Sequence, residues 1–205
     1  MEQSMTAQGI GKILLCLSEA TSGVDGLVEL LDRNGYDTAY RPTSTLNNGL
    51  TEGLCIASRD QVDKPVAFHD LGTRRAIANT KTRWLAEVEF EGVSVLSTHA
   101  SYPTPGKQER AVISQRLDQL QSEKSSGIVI GGDFNTLIAK RSFIDTVEAS
   151  GVTKIGDGVS TFPLVGRFGL EIDHVFVSPD LLQASTLEVA NAGPSNHRPL
   201  TLSVK

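Results

Sequence analysis

The sequence has few aromatic residues, few cysteines and no excess of positive charge. Aromatic residues make up 5% of its 205 residues, which argues against a nucleic-acid binder built mainly on base stacking. The two cysteines, Cys16 and Cys55, lie in apolar runs, so we expect two buried side chains rather than a disulfide framework or a CxxC zinc site. The net charge of −5 argues against a protein that coats nucleic acid or anionic membrane by charge alone.

The sequence also lacks long hydrophobic runs and the pattern of a signal peptide. These absences favour a cytoplasmic protein without membrane insertion. The chain length and the hydrophobic fraction of 39% predict a single domain over residues 1–205, with 1–11 as a flexible or atypical N-terminus. The oligomeric state is not predicted.

Short apolar runs dominate the chain, and helical periods are few. Helices are predicted near 26–33, 107–123 and 141–150. Strands are predicted at 13–17, 53–58, 128–132, 172–177, 186–189 and 200–204, with a hairpin over 84–99. Many short strands without steady β-α-β alternation predict the α+β class, with two mainly antiparallel sheets packed face to face and helices outside.

The segment IVIGGDFNT carries the clearest chemical pattern in the chain. A buried strand ends in two glycines, and Asp133 and Asn135 follow it two residues apart. On an extended backbone these two side chains point the same way, while Phe134 points back to the core. A carboxylate beside an amide suits a hard cation or a phosphate-bearing substrate, although Asp and Asn are also common in ordinary turns.

Other predicted strand ends carry similar side chains. Of the four histidines, three lie beside polar residues at such ends, namely His99 in STHAS, His174 in LEIDHVFVSP and His197 in SNHRPL. A lone histidine at such a place is usually a solvated loop residue. Three of them, together with Asp133 and Asp173, are better explained by one shared site.

In this order and spacing, GGDFN, THA, IDHVFVSP and SNHRPL resemble the endonuclease/exonuclease/phosphatase superfamily. The resemblance covers roughly residues 13–204 and is specific as a set, whereas each piece alone is weak. It implies a four-layered α/β sandwich and a divalent cation, Mg²⁺ or Mn²⁺. The resemblance makes Glu19 in ILLCLSEA the acidic metal ligand.

Two features depart from the family pattern. The closing motif of the family is Ser-Asp-His, whereas this chain has Asn196 in place of the acid at the metal side. The family also has an early strand carrying an Asn, which is not recognised in the residues before 13. Asn196 is explained equally by an engineered change, a natural variant or a degenerate enzyme. In each case we expect weaker metal binding.

The resemblance also implies roles for the remaining site residues. Asp133 would orient or deprotonate the attacking water, and Asn135 would help to hold the water and the phosphate. His197 would contact the scissile phosphate, with Asp173 fixing its tautomer and charge, and His99 would be a further phosphate contact. Phosphodiester hydrolysis needs such a set, because the substrate repels nucleophiles.

The resulting hypothesis is a metal-dependent phosphoesterase acting on a phosphodiester, either a nuclease on DNA or RNA or a small phosphodiesterase. The alternatives are a phosphomonoesterase on a small substrate and a non-catalytic relative that binds phosphate or nucleic acid. A basic cluster is either a solvated face or a set of contacts for flanking phosphates. Its members are Arg74, Arg75, Lys81 and Arg83, with Lys140 and Arg141 after the GDFN segment.

Overall fold

The computed structural model describes residues 12–60, 62–75, 80–102, 105–123, 125–136, 140–156, 160–163, 169–191 and 197–205. The helices are α1 (Leu27–Arg33), α2 (Lys107–Ser122), α3 (Lys140–Glu148) and α4 (Pro179–Leu182). The strands are β1 (Leu14–Ser22), β2 (Asp37–Thr45), β3 (Thr51–Ser58), β4 (Ala67–Arg75), β5 (Thr80–Phe90), β6 (Val93–His99), β7 (Ile128–Asp133), β8 (Thr153–Ile155), β9 (Phe162–Pro163), β10 (Gly169–Leu170), β11 (Asp173–Val177), β12 (Ser185–Val189) and β13 (Leu200–Val204). Over these described ranges, no helix combines the length and apolar character that crossing a bilayer requires.

The predicted helices near 26–33, 107–123 and 141–150 are confirmed as α1, α2 and α3. In α2 the buried positions Ile113, Leu117 and Leu120 recur at helical spacing, so one face of the helix packs on the core. The start of α2 is fixed by Glu109, whose carboxylate accepts the N–H of Gly106, as in a capping box.

The largest sheet has the strand order β4-β5-β6-β7-β11-β8. Only β6 and β7 are parallel among its neighbours, so the prediction of mainly antiparallel pairing is confirmed. Gly132 has a φ of 142°, and a Cβ there would come within 2.0 Å of the Thr98 carbonyl oxygen. The close pairing of β6 with β7 therefore requires glycine at this position.

The layers of the fold follow from the two faces of this sheet. One face packs against α2 and α3 around the buried rings of Phe134, Phe143 and Phe176. The other face packs against β1-β3-β2 on one half and against β12-β13 on the other half. Helix α1 covers the outer side of β1 and β3. The predicted four-layered sandwich is confirmed. In the part of the chain that is described, the layer that faces the six-stranded sheet consists of two separate sheets, β1-β3-β2 and β12-β13.

Two local expectations differ from the structure. Strand β2 is missing from the sequence prediction because its residues, DTAYRPTST, are polar and include Pro42. The expectation that Cys16 is buried is wrong, since it is exposed whereas Cys55 is buried. Cys16 lies on β1, which pairs only with β3 among the described strands, and an edge strand leaves more of its side chains accessible.

Candidate active site

The ends of three neighbouring strands, β6, β7 and β11, bring polar side chains to the same level of the six-stranded sheet. His99 at the end of β6 is paired in register with Asp133 at the end of β7. Asp173 at the start of β11 is the register partner of Asp133 on the other side. Strand pairing alone therefore places an imidazole and two carboxylates side by side.

Asp133 is the centre of this cluster. Its side chain is buried, and its Oδ1 accepts the backbone N–H of Asn135 at 2.8 Å. Burial, together with the negative charge of Asp173, raises the pKa of Asp133 from 3.8 to about 7. A carboxyl group with this pKa can accept a proton near neutral pH.

Asn135 holds the segment around Asp133 in place. Its φ is 49°, a left-handed conformation that Asn tolerates better than most residues. Its side-chain nitrogen donates to the Ala100 carbonyl at 3.0 Å, and Ala100 follows His99 directly. One amide hydrogen of Asn135 is therefore used to tie the Asp133 segment to the His99 segment.

His197 comes from the segment before β13 and joins the cluster through Asp173. Its Nδ1–H donates to Asp173 Oδ2 at 2.9 Å, and its Nε2 lies 3.9 Å from Asp133 Oδ2. The hydrogen bond to Asp173 raises the pKa of His197 above its ordinary value of 6.5. The imidazole therefore keeps its positive charge to a higher pH than a free histidine.

His99 has the opposite electrostatics. Its Nε2 lies 3.6 Å from Asp133 Oδ2, but burial and the positive charges of Arg83 and Lys81 lower its pKa to about 3. His99 is therefore a neutral imidazole at physiological pH, and one of its ring nitrogens carries a hydrogen that it can donate.

Glu19 approaches the cluster from the three-stranded sheet. It has a φ of 54° within an irregular stretch of β1, where the pairing register shifts between Leu17 and Ala20. Its Oε1 lies 3.9 Å from His99 Nε2 and 4.0 Å from Lys81 Nζ, and its side chain is 52% exposed. This carboxylate is therefore accessible and needs little desolvation to bind a ligand.

Two basic side chains of the predicted cluster lie beside the site. Lys81 donates to Glu52 and lies near Glu19. Arg83 is only 6% exposed, and its Nε and Nη1 atoms are buried without a hydrogen-bond partner among the described residues. Unsatisfied donors on a buried guanidinium are costly, so this side chain is suited to an anionic ligand. The sequence places Arg74, Arg75 and Lys140 in the same basic cluster, but their side chains are outside the part of the structure that is described.

The structure brings all the described members of the predicted site into one cluster, namely Glu19, His99, Asp133, Asn135, Asp173 and His197. Asn196 lies outside the described residues. The expectation for His174 is wrong. It is 1% exposed and packs beside the rings of Phe134 and Phe176, because alternate residues of a strand face opposite sides of the sheet.

Most of the chain matches a known protein family. Residues 8–197 match the model of the Endonuclease/Exonuclease/phosphatase family. The chain belongs to this family. It is a family of phosphoesterases that includes nucleases and phosphatases. No curated relative matches the chain in sequence.

Solved structures of the same fold are similar over nearly the whole chain. An endonuclease/exonuclease/phosphatase family protein from Leptotrichia buccalis has 14% identity and a TM-score of 0.67, with 94% of this chain and 86% of that chain covered. A mannosyl-6-phosphatase from Bacteroides thetaiotaomicron has 15% identity and a TM-score of 0.62, with coverage of 94% and 85%. The endonuclease domain of the telomere-specific non-LTR retrotransposon TRAS1 has 15% identity and a TM-score of 0.58, with the same coverage. At these identities the likeness shows the fold alone.

The residues present fit the divalent cation that is typical of this family. Ligand atoms of Asp133, Asp173 and His197 all lie within 4.8 Å of one another. The carboxylate of Glu19 lies 3.9 Å from His99 Nε2 and does not belong to this group among the described residues. Carboxylate oxygens are the ligands that Mg²⁺ and Mn²⁺ prefer, and a cation would relieve the repulsion between Asp133 and Asp173.

Several residues that support the site were not predicted from the sequence. Thr136 forms a buried hydrogen bond of 2.7 Å with His174 beneath the GDFN segment. Glu109 accepts hydrogen bonds from the N–H and the hydroxyl of Ser101, two residues after His99. Thr161 binds the start of β11. Thr136 and Thr161 lie outside helices and strands and carry no periodic signal. Glu109 lies in the first turn of α2, and only the tertiary structure shows that it also binds Ser101.

Proposed function

We propose that the protein is a divalent-metal-dependent phosphoesterase that hydrolyses phosphodiesters, as a nuclease or a small phosphodiesterase. The observation that carries the proposal is the position of Asp133. This buried carboxyl has a pKa raised to about 7 and lies between His99 at 3.6 Å and His197 at 3.9 Å. A titratable acid between two imidazoles is suited to move a proton next to a bound anion.

Asp133 is proposed as the general base. Once it is deprotonated, its free oxygen can take a proton from an attacking water, while its Oδ1 is held by the N–H of Asn135. Asn135 acts here mainly by fixing this carboxylate and by tying it to Ala100. The water-activating group is thus held rigidly, which favours reaction because little reorganisation is needed.

The two histidines are proposed as donors to the phosphate oxygens, with different charges. His197, supported by Asp173, supplies a charged donor that opposes the negative charge developing in the transition state. His99 supplies a neutral donor, since its pKa is held at about 3. A neutral donor beside Asp133 does not form a stable ion pair that would quench the base.

Glu19 would hold Mg²⁺ or Mn²⁺, with position 196 as a further ligand, and the nearby carboxylates of Asp133 and Asp173 would add negative charge that attracts the cation. When bound, the cation supplies positive charge that neutralises the phosphate oxygens. The proposal that Asn196 serves here rests on the family resemblance. An amide oxygen binds a hard cation more weakly than a carboxylate does, because it brings no negative charge.

Arg83 and Lys81 support a substrate with more than one phosphate group. The Nε and Nη1 donors of Arg83 are buried without a partner among the described residues, and the guanidinium lies close enough to depress the pKa of His99. A phosphodiester chain would place a flanking phosphate beside the scissile one, where the positive charges of Arg83 and Lys81 would attract it. The neighbours named as an endonuclease domain and a mannosyl-6-phosphatase make DNA, RNA and small phosphomonoesters the substrates to compare.

A non-catalytic phosphate- or nucleic-acid-binding protein is the second candidate. The residue that favours it is Asn196, which stands where the family resemblance places an acid. In that case the donors of His99, His197 and Arg83 would still bind phosphate, but no hydrolysis would follow.

The test is initial-rate hydrolysis with Mg²⁺ or Mn²⁺ on plasmid DNA, single-stranded DNA, RNA, bis-nitrophenyl phosphate and nitrophenyl phosphate. Asp133→Ala should lower any rate by at least ~100-fold, since a general base is removed. Asp118→Ala on the exposed side of α2 is the matched control and should keep the wild-type rate. Retained activity in Asp133→Ala would refute the assignment of the base, and binding without hydrolysis by the wild type would support the second candidate.

A further inference from the structure

Thr161 makes an unusual set of contacts at the start of β11. Its Oγ1 accepts the backbone N–H of Asp173 at 3.1 Å and that of Ile172 at 3.3 Å. Thr161 is 1% exposed, so water does not replace these bonds. The hydroxyl thus fixes the backbone from which the Asp173 carboxylate projects.

The same residue also holds the segment that carries His197. The Thr161 carbonyl accepts the N–H of Arg198 at 2.7 Å. The next side chain, Phe162, packs edge-on against the His197 ring with a centroid distance of 5.1 Å and an interplanar angle of 71°. One short segment therefore contacts both partners of the Asp173–His197 hydrogen bond.

The two partners have no direct sheet connection in the described structure. Asp173 belongs to β11 of the six-stranded sheet, whereas His197 precedes β13, which pairs with β12 in a separate sheet. Their alignment at 2.9 Å thus depends on contacts between layers. Thr161 supplies such a contact to each side, through its hydroxyl and its carbonyl.

We propose that Thr161 is a positioning residue that aligns Asp173 with His197 through its hydroxyl. The proposal rests on the proposed function, in which this pair supplies a charged donor to the phosphate. A purely structural role predicts only a loss of stability when the hydroxyl is removed. A positioning role predicts, in addition, a specific loss of the hydrogen bond between the pair and a lower turnover number.

The variants change the acceptor group at position 161. Thr161→Val removes the hydroxyl but keeps the shape, Thr161→Cys leaves a weaker acceptor, and Thr161→Ser keeps the hydroxyl. Ser178→Ala is the matched control, because the buried Ser178 Oγ accepts the N–H of Ile128 at 2.8 Å at the other end of β7 and β11. This control loses the same kind of bond without touching the pair.

Two measurements are made on each folded variant at one pH. The first is the proton NMR signal of His197 Nδ1, which the hydrogen bond to Asp173 shifts far downfield and protects from exchange. The second is kcat and KM on the best substrate. Thr161→Val should lose the signal and lower kcat by roughly 10- to 100-fold with little change in KM, while Thr161→Ser and Ser178→Ala should stay within about 2-fold of the wild type.

The outcomes separate this proposal from the proposed function. If the wild type hydrolyses none of the substrates, the proposed function fails, and the Nδ1 signal alone decides the role of Thr161. If the signal and kcat persist in Thr161→Val, or if Ser178→Ala lowers kcat equally, the positioning role is refuted. If Thr161→Val does not fold, Thr161→Cys must lie below Thr161→Ser in both measurements for the proposal to stand.

Discussion

Replacing Asp133 with Asn should stabilise the folded protein at neutral and alkaline pH. Burial and the charge of Asp173 raise the pKa of Asp133 from 3.8 to about 7. The folded state therefore holds this proton more tightly than the unfolded chain, and the free energy of unfolding falls as the pH rises from about 4 to about 7. At 1.36 kcal/mol per pH unit, the interval from 3.8 to about 7 corresponds to roughly 4 kcal/mol.

Asparagine removes this cost while it keeps the local geometry. Its side-chain oxygen can still accept the N–H of Asn135, which Asp133 now accepts at 2.8 Å. Since burial of the added amide offsets part of the gain, we expect Asp133→Asn to raise the free energy of unfolding by about 2 to 4 kcal/mol at pH 8. The gain should become small as the pH falls toward 4, because the carboxyl is then protonated in the folded state and increasingly protonated in the unfolded chain.

The assay is urea unfolding of both proteins in the presence of a chelator between pH 4 and 9. Asp118→Asn, on the exposed side of α2, removes the same charge outside the site and should change stability by less than ~0.5 kcal/mol. Saturating Mg²⁺ should narrow the difference, because a cation that binds the native state stabilises the wild type more. A variant that is no more stable than the wild type at pH 8, or whose gain is equal at pH 4 and pH 8, would show that the Asp133 carboxylate is not destabilised.

Three further variants test separate parts of the site. Asp173→Asn should lower kcat by roughly 100-fold. It should also move the alkaline limb of the pH–rate profile to lower pH, because the hydrogen bond to Asp173 is the main cause of the raised pKa of His197. An alkaline limb at the same pH would contradict this. Arg83→Met should raise KM for a polynucleotide by about 10-fold, because a positive charge that attracts the flanking phosphate is lost. It should leave KM for bis-nitrophenyl phosphate, which has no flanking phosphate, nearly unchanged. Asn196→Asp should tighten Mg²⁺ binding in calorimetric titration and raise initial rates by about 10-fold, and equal rates in the two proteins would show that position 196 is not a metal-side acid.

Part of the site could be predicted because His99, Asp133 and Asp173 lie at the ends of strands. A glycine pair after an apolar run marks the end of β7, and Phe134 is buried as the alternation predicts. The extended backbone expected for Asn135 is not found, since its φ is 49°. The pairing of neighbouring strands then brings His99 and Asp173 to the same level. These relations are local or follow from sheet geometry, so sequence patterns contain them.

The parts that could not be predicted depend on contacts between segments that are distant in sequence. His174 was grouped with the other histidines because it lies near a strand end, but it faces the core beside Phe134. The polar strand β2 forms because β3 offers an edge for pairing, and no hydrophobic alternation announces it. The contacts of Thr161 connect residues more than ten positions away, so no local pattern reveals them.

The site is assembled from residues of three sheets, and two of these residues have backbone conformations that cost energy. Glu19 comes from the three-stranded sheet, and Asp133 and Asp173 come from the six-stranded sheet. His197 precedes β13 of the β12-β13 sheet. Two of the groups that meet there carry positive φ values at non-glycine residues, Glu19 at 54° and Asn135 at 49°, a conformation that costs energy unless the surroundings enforce it. The neighbouring layers supply that enforcement through well-packed apolar contacts. If the protein acts as proposed, changes that loosen the packing between layers should impair phosphate binding and turnover, because they remove the contacts that hold these two residues in their conformations.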